Sequence, residues 1–266
     1  MRVTILGCGG SGGVPLVGNY WGCCNPDNPR NRRRRVSVLV ETQGKTILID
    51  ASPDCREQLL DTGVTGLDAV LFTHEHADHA HGLDDLRFVR RESGSEPLPI
   101  YGTADTLETL ARRFDYVFRQ NEKGSGKLYR PFLDARTVAW GRPFTLEDLS
   151  ILPYEQDHGH GTVTTGYRIG NFAYSTDVVK MPAPSLALLA GLDLFVVDCL
   201  RLEPHTTHAN FDTAMGWIKQ LKPRHAVLTH LNHQIDYDVL KARCPAGVEP
   251  GYDGLAVEIP EAKSGA

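Results

Sequence analysis

Residues 74–79 read His-Glu-His-Ala-Asp-His, directly after the apolar run Ala69-Val70-Leu71-Phe72. His74, His76, Asp78 and His79 are ligand-type side chains spaced i, i+2, i+4, i+5, and they would repel or desolvate one another unless a cation sat among them. Imidazole suits borderline metals such as Zn²⁺, and a carboxylate adds harder character and neutralising charge. In an extended stretch or tight loop His74 and His76 share a face, while Asp78 and His79 open the next helix. One short segment can therefore serve two neighbouring ions. Later in the chain, Asp157-His158-Gly159-His160 offers a further imidazole, and Asp177 and His230 follow. A carboxylate can bridge ions roughly 3.5–4 Å apart. The sets expected are His74, His76 and His158 on one ion and Asp78, His79 and His230 on the other, with Asp177 shared. Each leaves room for water, as catalytic sites do.

These residues need elements that bring them to one place. Apolar β-type runs recur and end in Asp or His: Thr46–Ile49 at Asp50, Ala69–Phe72 before His74, Leu149–Leu152 toward His158, Asn171–Thr176 at Asp177, Leu194–Val197 at Asp198, Ala226–Thr229 at His230. Such strands present their ends at one rim of a sheet, where loops carry function. Helical spacing is expected over Asp54–Asp61, Thr103–Gln120, Met181–Ala190 and Phe211–Leu221. Residues 84–135 have weaker periodicity and read as an insertion covering the rim. No repeat or long linker divides the chain, so residues 1–266 are expected to form a single layered α/β domain.

The 266 residues suffice for one large core, and 41% hydrophobic and 23% charged content are ordinary for a globular protein. A net charge of −5 argues against a general nucleic-acid binder but not against a small phosphate ester. No apolar run approaches the roughly 18 residues of a spanning helix. The N-terminus lacks the features of a signal peptide. Six scattered cysteines without a C-x-x-C pair fit reduced thiols and a cytoplasmic location.

Thr73-His74-Glu75-His76-Ala77-Asp78-His79, followed by His158, Asp177 and His230, resembles the metallo-β-lactamase superfamily along nearly the whole chain. That implies an αβ/βα four-layer sandwich. The glycine-rich opening Leu6–Pro15 is similar to that of the branch containing phosphoribosyl cyclic phosphate phosphodiesterase. Pro204-His205-Thr206-Thr207-His208, Thr229–Gln234 and Gly251-Tyr252-Asp253-Gly254 match late motifs of the same branch. The resemblance favours His158 over His160 as the loop ligand, because Gln156-Asp157-His158-Gly159 is similar to the branch's ligand turn. It also implies His208 as general acid. The branch's phosphodiesterase holds a structural zinc with three spaced cysteines and a histidine matching His233. Here Cys23 and Cys24 are adjacent with no third nearby, so no structural zinc is expected and both read as small buried loop thiols.

The chemistry expected is hydrolysis by two divalent ions, Zn or Mn, which lower the pKa of a bridging water to roughly 7 and neutralise a phosphoryl oxygen. Asp78 can orient the resulting hydroxide, and His208 can protonate the leaving oxygen. His205 either contacts the phosphate or stays an exposed loop imidazole; His81 and His225 read as structural or surface residues. The run Arg30, Arg32–Arg35 reads as a solvated loop face, with a phosphate or RNA contact as the alternative. The glycines at 7, 9, 10, 12 and 13 either cradle phosphate or serve a tight turn. The substrate expected is a small cyclic phosphate or nucleotide-like ester, with no stable nucleic-acid or membrane partner and monomer or homodimer left open. Two alternatives stand: a thioester or acyl ester hydrolase, and a catalytically inactive metal-binding or regulatory protein.

Overall fold

A computed structural model describes residues 1–89, 97–118 and 132–261. Strands β1 (Arg2–Gly7), β2 (Ser37–Thr42), β3 (Lys45–Ile49), β4 (Ala69–Leu71), β5 (Leu98–Gly102) and β6 (Leu133–Thr137) lie side by side in chain order. The second sheet takes β7 (Phe144–Leu146), β8 (Leu149–Gly159), β9 (Thr162–Ile169), β10 (Phe172–Ser175), β11 (Leu194–Asp198), β12 (His225–Thr229) and β13 (Val248–Pro250). A final strand, β14 (Ala256–Glu258), returns to pair antiparallel with β1. In each sheet antiparallel neighbours lead into parallel pairs, β3 to β6 in one and β10 to β13 in the other.

Strand periodicity builds the layers. Along β11, Leu194 and Val196 face the other sheet, while Phe195 and Val197 face outward. The inner set meets Val3, Val38, Ile49 and Leu71 of the first sheet in one core. The outer set packs under Trp217 and Ile218 of α6 (Phe211–Leu221) and Leu240 of α7 (Tyr237–Arg243). Leu39, Leu48 and Val70 likewise pack under Leu59 of α1 (Cys55–Thr62) and Leu107 and Leu110 of α3 (Ala104–Arg113). Helix, sheet, sheet, helix is the four-layer sandwich. Between α1 and α3 lies the short α2 (Ala77–Ala80), and α4 (Asp115–Phe118) and α5 (Ala183–Ala187) complete the helices used below.

Register sets the site. Ser175 pairs with Val197 and Asp198 with Thr229, so Asp177, Asp198 and His230 emerge at one level of the second sheet. Ile49 pairs with Leu71, which brings Asp50 level with Phe72 and Thr73. Two bonds clamp the sheets beside this rim: Thr165 N–H to Thr73 O at 2.9 Å and Tyr167 O–H to Phe72 O at 2.8 Å.

Three expectations need correction. Residues 84–135 are not an insertion over the rim, because β5 pairs with β4 and carries β6 as the sheet edge. The parts at 90–96 and 119–131 lie outside the described residues. The helix expected over Thr103–Gln120 starts at the Thr103 cap and breaks at Phe114, whose backbone leaves helical geometry to pack on the outer core. The helix expected over Met181–Ala190 is confined to α5. Among the described residues, no helix is long and apolar enough to cross a membrane.

Candidate metal centre

The site begins with Asp50, buried at the end of β3 in a left-handed conformation (φ 62°). Its carboxylate accepts the Thr73 amide and hydroxyl, each at 2.8 Å, and the His79 Nδ1 proton at 2.7 Å. Thr73 spends its one hydroxyl proton on Asp50, so its oxygen accepts from His74 Nδ1 at 3.0 Å. His158 Nδ1 lies 2.8 Å from Thr207 O, and a carbonyl only accepts. In three histidines the Nδ1 proton is therefore anchored, which leaves each Nε2 lone pair turned inward.

Those lone pairs converge on Asp177. Its Oδ1 lies 3.1 Å from His79 Nε2 and 3.2 Å from His230 Nε2. Its Oδ2 lies 3.5 Å from His158 Nε2 and 3.8 Å from His74 Nε2. One carboxylate thus addresses two donor sets through different oxygens. His74, His76, His158 and Asp177 form one set; Asp78, His79, Asp177 and His230 form the other. Ligand atoms within each lie within 4.8 Å of one another. His74 Nε2, Asp78 Oδ2, His79 Nε2 and His230 Nε2 are buried with no hydrogen-bond partner among the described residues. Buried polar atoms seldom go unpaired in a native fold. Lone pairs facing carboxylates repel, and divalent ions remove that conflict, so these residues fit two metals.

The electrostatics agree. Burial would raise the Asp177 carboxyl, but the His230 and His79 imidazoles outweigh it and hold it well below the usual range. Burial likewise opposes charge on His79, yet Asp177, Asp78 and Asp50 raise its imidazole well above the ordinary value. Burial, reinforced by His79, pushes His74 well down. Such a site demands positive charge. Asp177 (φ 53°) and His230 (φ 59°) share the left-handed backbone of Asp50, strain of the kind that concentrates at functional sites.

His208 sits against this centre. Its Nδ1 lies 3.0 Å from Asp198 Oδ2, which also accepts the Val178 amide at 3.0 Å, and its Nε2 lies 3.9 Å from Asp177 Oδ2. Burial lowers His208, but the Asp198 charge and hydrogen bond prevail and raise it to about 9. Asp198, His208 and His230 also lie within ligand distance of one another.

All seven expected metal ligands and His208 come together here. His158 is not in a loop: β8 runs through it, and exposed His160 occupies the following turn at φ 51°. Asp50, Thr73 and Asp198 were not expected to have roles. The strand endings flagged both aspartates, but what they hold is visible only in three dimensions.

The Arg30–Arg35 stretch is not a uniform solvated face. Arg33 is 2% exposed, and its guanidinium donates to Asn232 O at 2.8 Å, Ile235 O at 2.9 Å and Asn31 Oδ1 at 3.0 Å. Arg35 pairs with Asp54, Arg34 with Asp61, and Arg32 stacks on Trp21. Cys24 is buried beside Arg33, whereas Cys23 is exposed, so only one of the pair is a buried thiol. The opening glycines serve close approach: a Cβ on Gly7 would meet Arg35 O at 2.0 Å, and one on Gly10 would meet His230 at 3.3 Å.

Comparison with known proteins agrees with this geometry. A sequence profile of the beta-lactamase superfamily domain matches residues 45–231. A crystal structure of a new diphosphatase from the PhnP family has a TM-score of 0.87 at 34% identity, covering 98% of each chain. The chain belongs to the metallo-β-lactamase superfamily, and within it to the family of that diphosphatase. An octanoyltransferase of Porphyromonas gingivalis is 37% identical over 98% of this chain but only 52% of its own length. Ribonuclease Z of Clostridium acetobutylicum is 29% identical over 71% of this chain and 56% of its own. The chain spans about half the length of these curated relatives.

Proposed function

We propose that the protein is a cytoplasmic, two-metal phosphodiesterase acting on small cyclic phosphates or nucleotide-like esters. The observation that carries this reading is Asp177, whose two oxygens face separate donor sets beside the His208–Asp198 pair. His74, His76, His158 and Asp177 would hold one ion, and Asp78, His79, Asp177 and His230 the other, with Zn or Mn suited to mixed nitrogen and oxygen donors. Bound there, the ions supply activation of water and neutralisation of phosphoryl charge. The chain's own part is proton handling. Asp198 accepts a hydrogen bond from His208 Nδ1–H and thereby aims Nε2 at the centre. Hydrolysis exchanges the ester P–O bond for one to water oxygen, and the leaving oxygen collects the Nε2 proton, which solvent then restores.

The PhnP-family diphosphatase supports phosphate chemistry. The net charge of −5 favours a small anionic substrate over bulk RNA. The octanoyltransferase likeness keeps acyl ester or thioester hydrolysis as the second reading, although it spans only 52% of that protein's length. Elemental analysis after loading with Zn or Mn, followed by a panel of cyclic phosphates, phosphodiesters and thioesters, tests the proposal. Two metals per chain and turnover of phosphate esters are expected. Faster thioester turnover would favour the second reading, and no turnover of any ester an inactive binding protein.

A further inference from the structure

His74, His76, Asp78 and His79 stand on one short segment whose backbone is thinly tethered. At its two ends the Thr165 amide donates to Thr73 O and the Gly82 amide to Ala51 O, both at 2.9 Å. Between them the amides of His79, Ala80 and His81 bond only to the carbonyls of His76 and Ala77, within the segment itself. Among the described residues, one hydrogen bond reaches the backbone of residues 74–81 from elsewhere in the chain. The Arg113 guanidinium donates it to Glu75 O, the carbonyl between ligands His74 and His76. A charged donor makes this a stronger bond than an amide would.

Arg113 is the last residue of α3, which breaks at Phe114. The corner that follows stays on the same stretch of chain. Phe114 meets the His81 ring edge-on with centroids 5.6 Å apart, and Tyr116 O–H donates to Asp84 Oδ1 at 2.9 Å. The outer helix layer thus delivers a cation to a carbonyl that has no other donor among the described residues.

The two donor sets differ in how much they need this contact. Nδ1 of His74, His79 and His158 is fixed by Thr73, Asp50 and Thr207 in turn. His76 is exposed, and neither of its ring nitrogens has a hydrogen-bond partner among the described residues. Its position rests on its backbone, and the peptide it shares with Glu75 carries the Arg113 bond. Taking the donor sets as two ion sites, as the proposed function does, we propose that Arg113 is a positioning residue for His76. Through the Glu75–His76 peptide it sets the affinity of the ion on His74, His76, His158 and Asp177. The other ion gains little, because Asp50 already orients His79.

The test titrates chelator-treated wild type, R113Q and R113K with Zn, using H76A and H230A to assign the two binding steps. Arg113 is exposed, so its replacement spares the core. In R113Q the step lost in H76A should weaken by about 10-fold or more, the size usual for groups that support a ligand, while the step lost in H230A holds. R113K can still donate to the carbonyl and should recover part of the loss. Unchanged steps in R113Q overturn the assignment. So does equal weakening of both, which would make Arg113 a brace for α2 as a whole. Lower stability of the metal-free protein in urea with both affinities intact would make it a structural residue, and overturns it too. Should wild type bind a single ion, the two-ion reading fails. Hydrogen exchange of the metal-free proteins then decides the brace: faster exchange at His79, Ala80 and His81 in R113Q supports it, and unchanged exchange overturns it.

Discussion

Two buried polar clusters flank the loop that follows His230, and they treat buried polarity in opposite ways. On one side, Arg33 spends both terminal nitrogens on backbone carbonyls at 232 and 235 and on Asn31, leaving only its Nε without a partner among the described residues, and Asn31 in turn donates to Asp236. On the other, the inward nitrogens of His74, His79 and His230 and one oxygen of Asp78 have no hydrogen-bond partner among the described residues. The first network ties the N-terminal loop to the last ligand loop with the chain's own groups. The second is built to be completed from outside. Unpaired buried groups cost stability, so a fold that collects them at one point has kept them for something other than cohesion.

Asp177→Ala is the hardest blow to the second cluster. Both donor sets lose a ligand, so metal content should fall from two per chain toward none, and activity to background. His158→Ala removes a ligand from only one set and should chiefly empty one site. Elemental analysis separates the cases, and a D177A protein retaining both ions would end the shared-carboxylate assignment.

His208→Ala should leave both metals and the fold in place yet reduce kcat roughly 10²–10⁴-fold on esters with poor leaving groups. With nitrophenolate, which departs unprotonated, the loss should be far smaller. Equal losses on the two classes would make His208 a substrate-binding or structural group. Loss of metal would instead make it a ligand, as its closeness to His230 and Asp198 allows.

A smaller change is expected from Asp50→Asn, which keeps the shape but removes the charge that anchors the His79 proton and receives Thr73. Supporting groups of this kind are worth about 10- to 100-fold in metal affinity. The loss should fall first on the ion held by Asp78, His79 and His230. Competition with a metal indicator would expose the asymmetry; equal weakening of both sites would mean Asp50 supports the rim as a whole.

These effects also mark what the sequence could and could not disclose. His74, His76, Asp78 and His79 are legible because six consecutive residues carry the chemistry, and β3, β4, β10, β11 and β12 are legible because each leads into an Asp or His. The tasks of Asp50 and Asp198 were hidden, since their partners Thr73, His79 and His208 arrive by strand pairing and loop return rather than local spacing. His158 looked like a loop residue because β8 is eleven residues long and polar near its end. Strands β5 and β6 lacked an apolar signature: one contains Pro99, and the other, at the sheet edge, exposes Ala135, Arg136 and Thr137. Arg33 was concealed by its neighbours, because consecutive arginines suggest a solvated run while the backbone turns only this one inward.

Arg33→Met tests whether the cluster around Arg33 serves cohesion, as its geometry implies. The substitution keeps an unbranched apolar stem but leaves the carbonyls of Asn232 and Ile235 without their guanidinium donor; Asn31 Oδ1 still accepts the Tyr237 amide. Asn232 O, half-buried, loses its donor, and Ile235 O is left with only the Cys24 thiol at 3.4 Å. The cost is up to about 1–3 kcal/mol each, partly offset because a charged group need no longer be desolvated. A net loss of about 2–3 kcal/mol is expected, read from urea unfolding of chelator-treated protein at unchanged m-value. At saturating metal, activity should stay within about threefold of wild type, since no donor atom is removed. The opposite pattern, normal stability with weakened binding of the ion on His230, would mean the two clusters are one device, with Arg33 setting the position of the ligand loop. Unchanged stability and metal binding together would show that the carbonyls find water in place of the guanidinium, and the contrast between the clusters would then rest on the metal side alone.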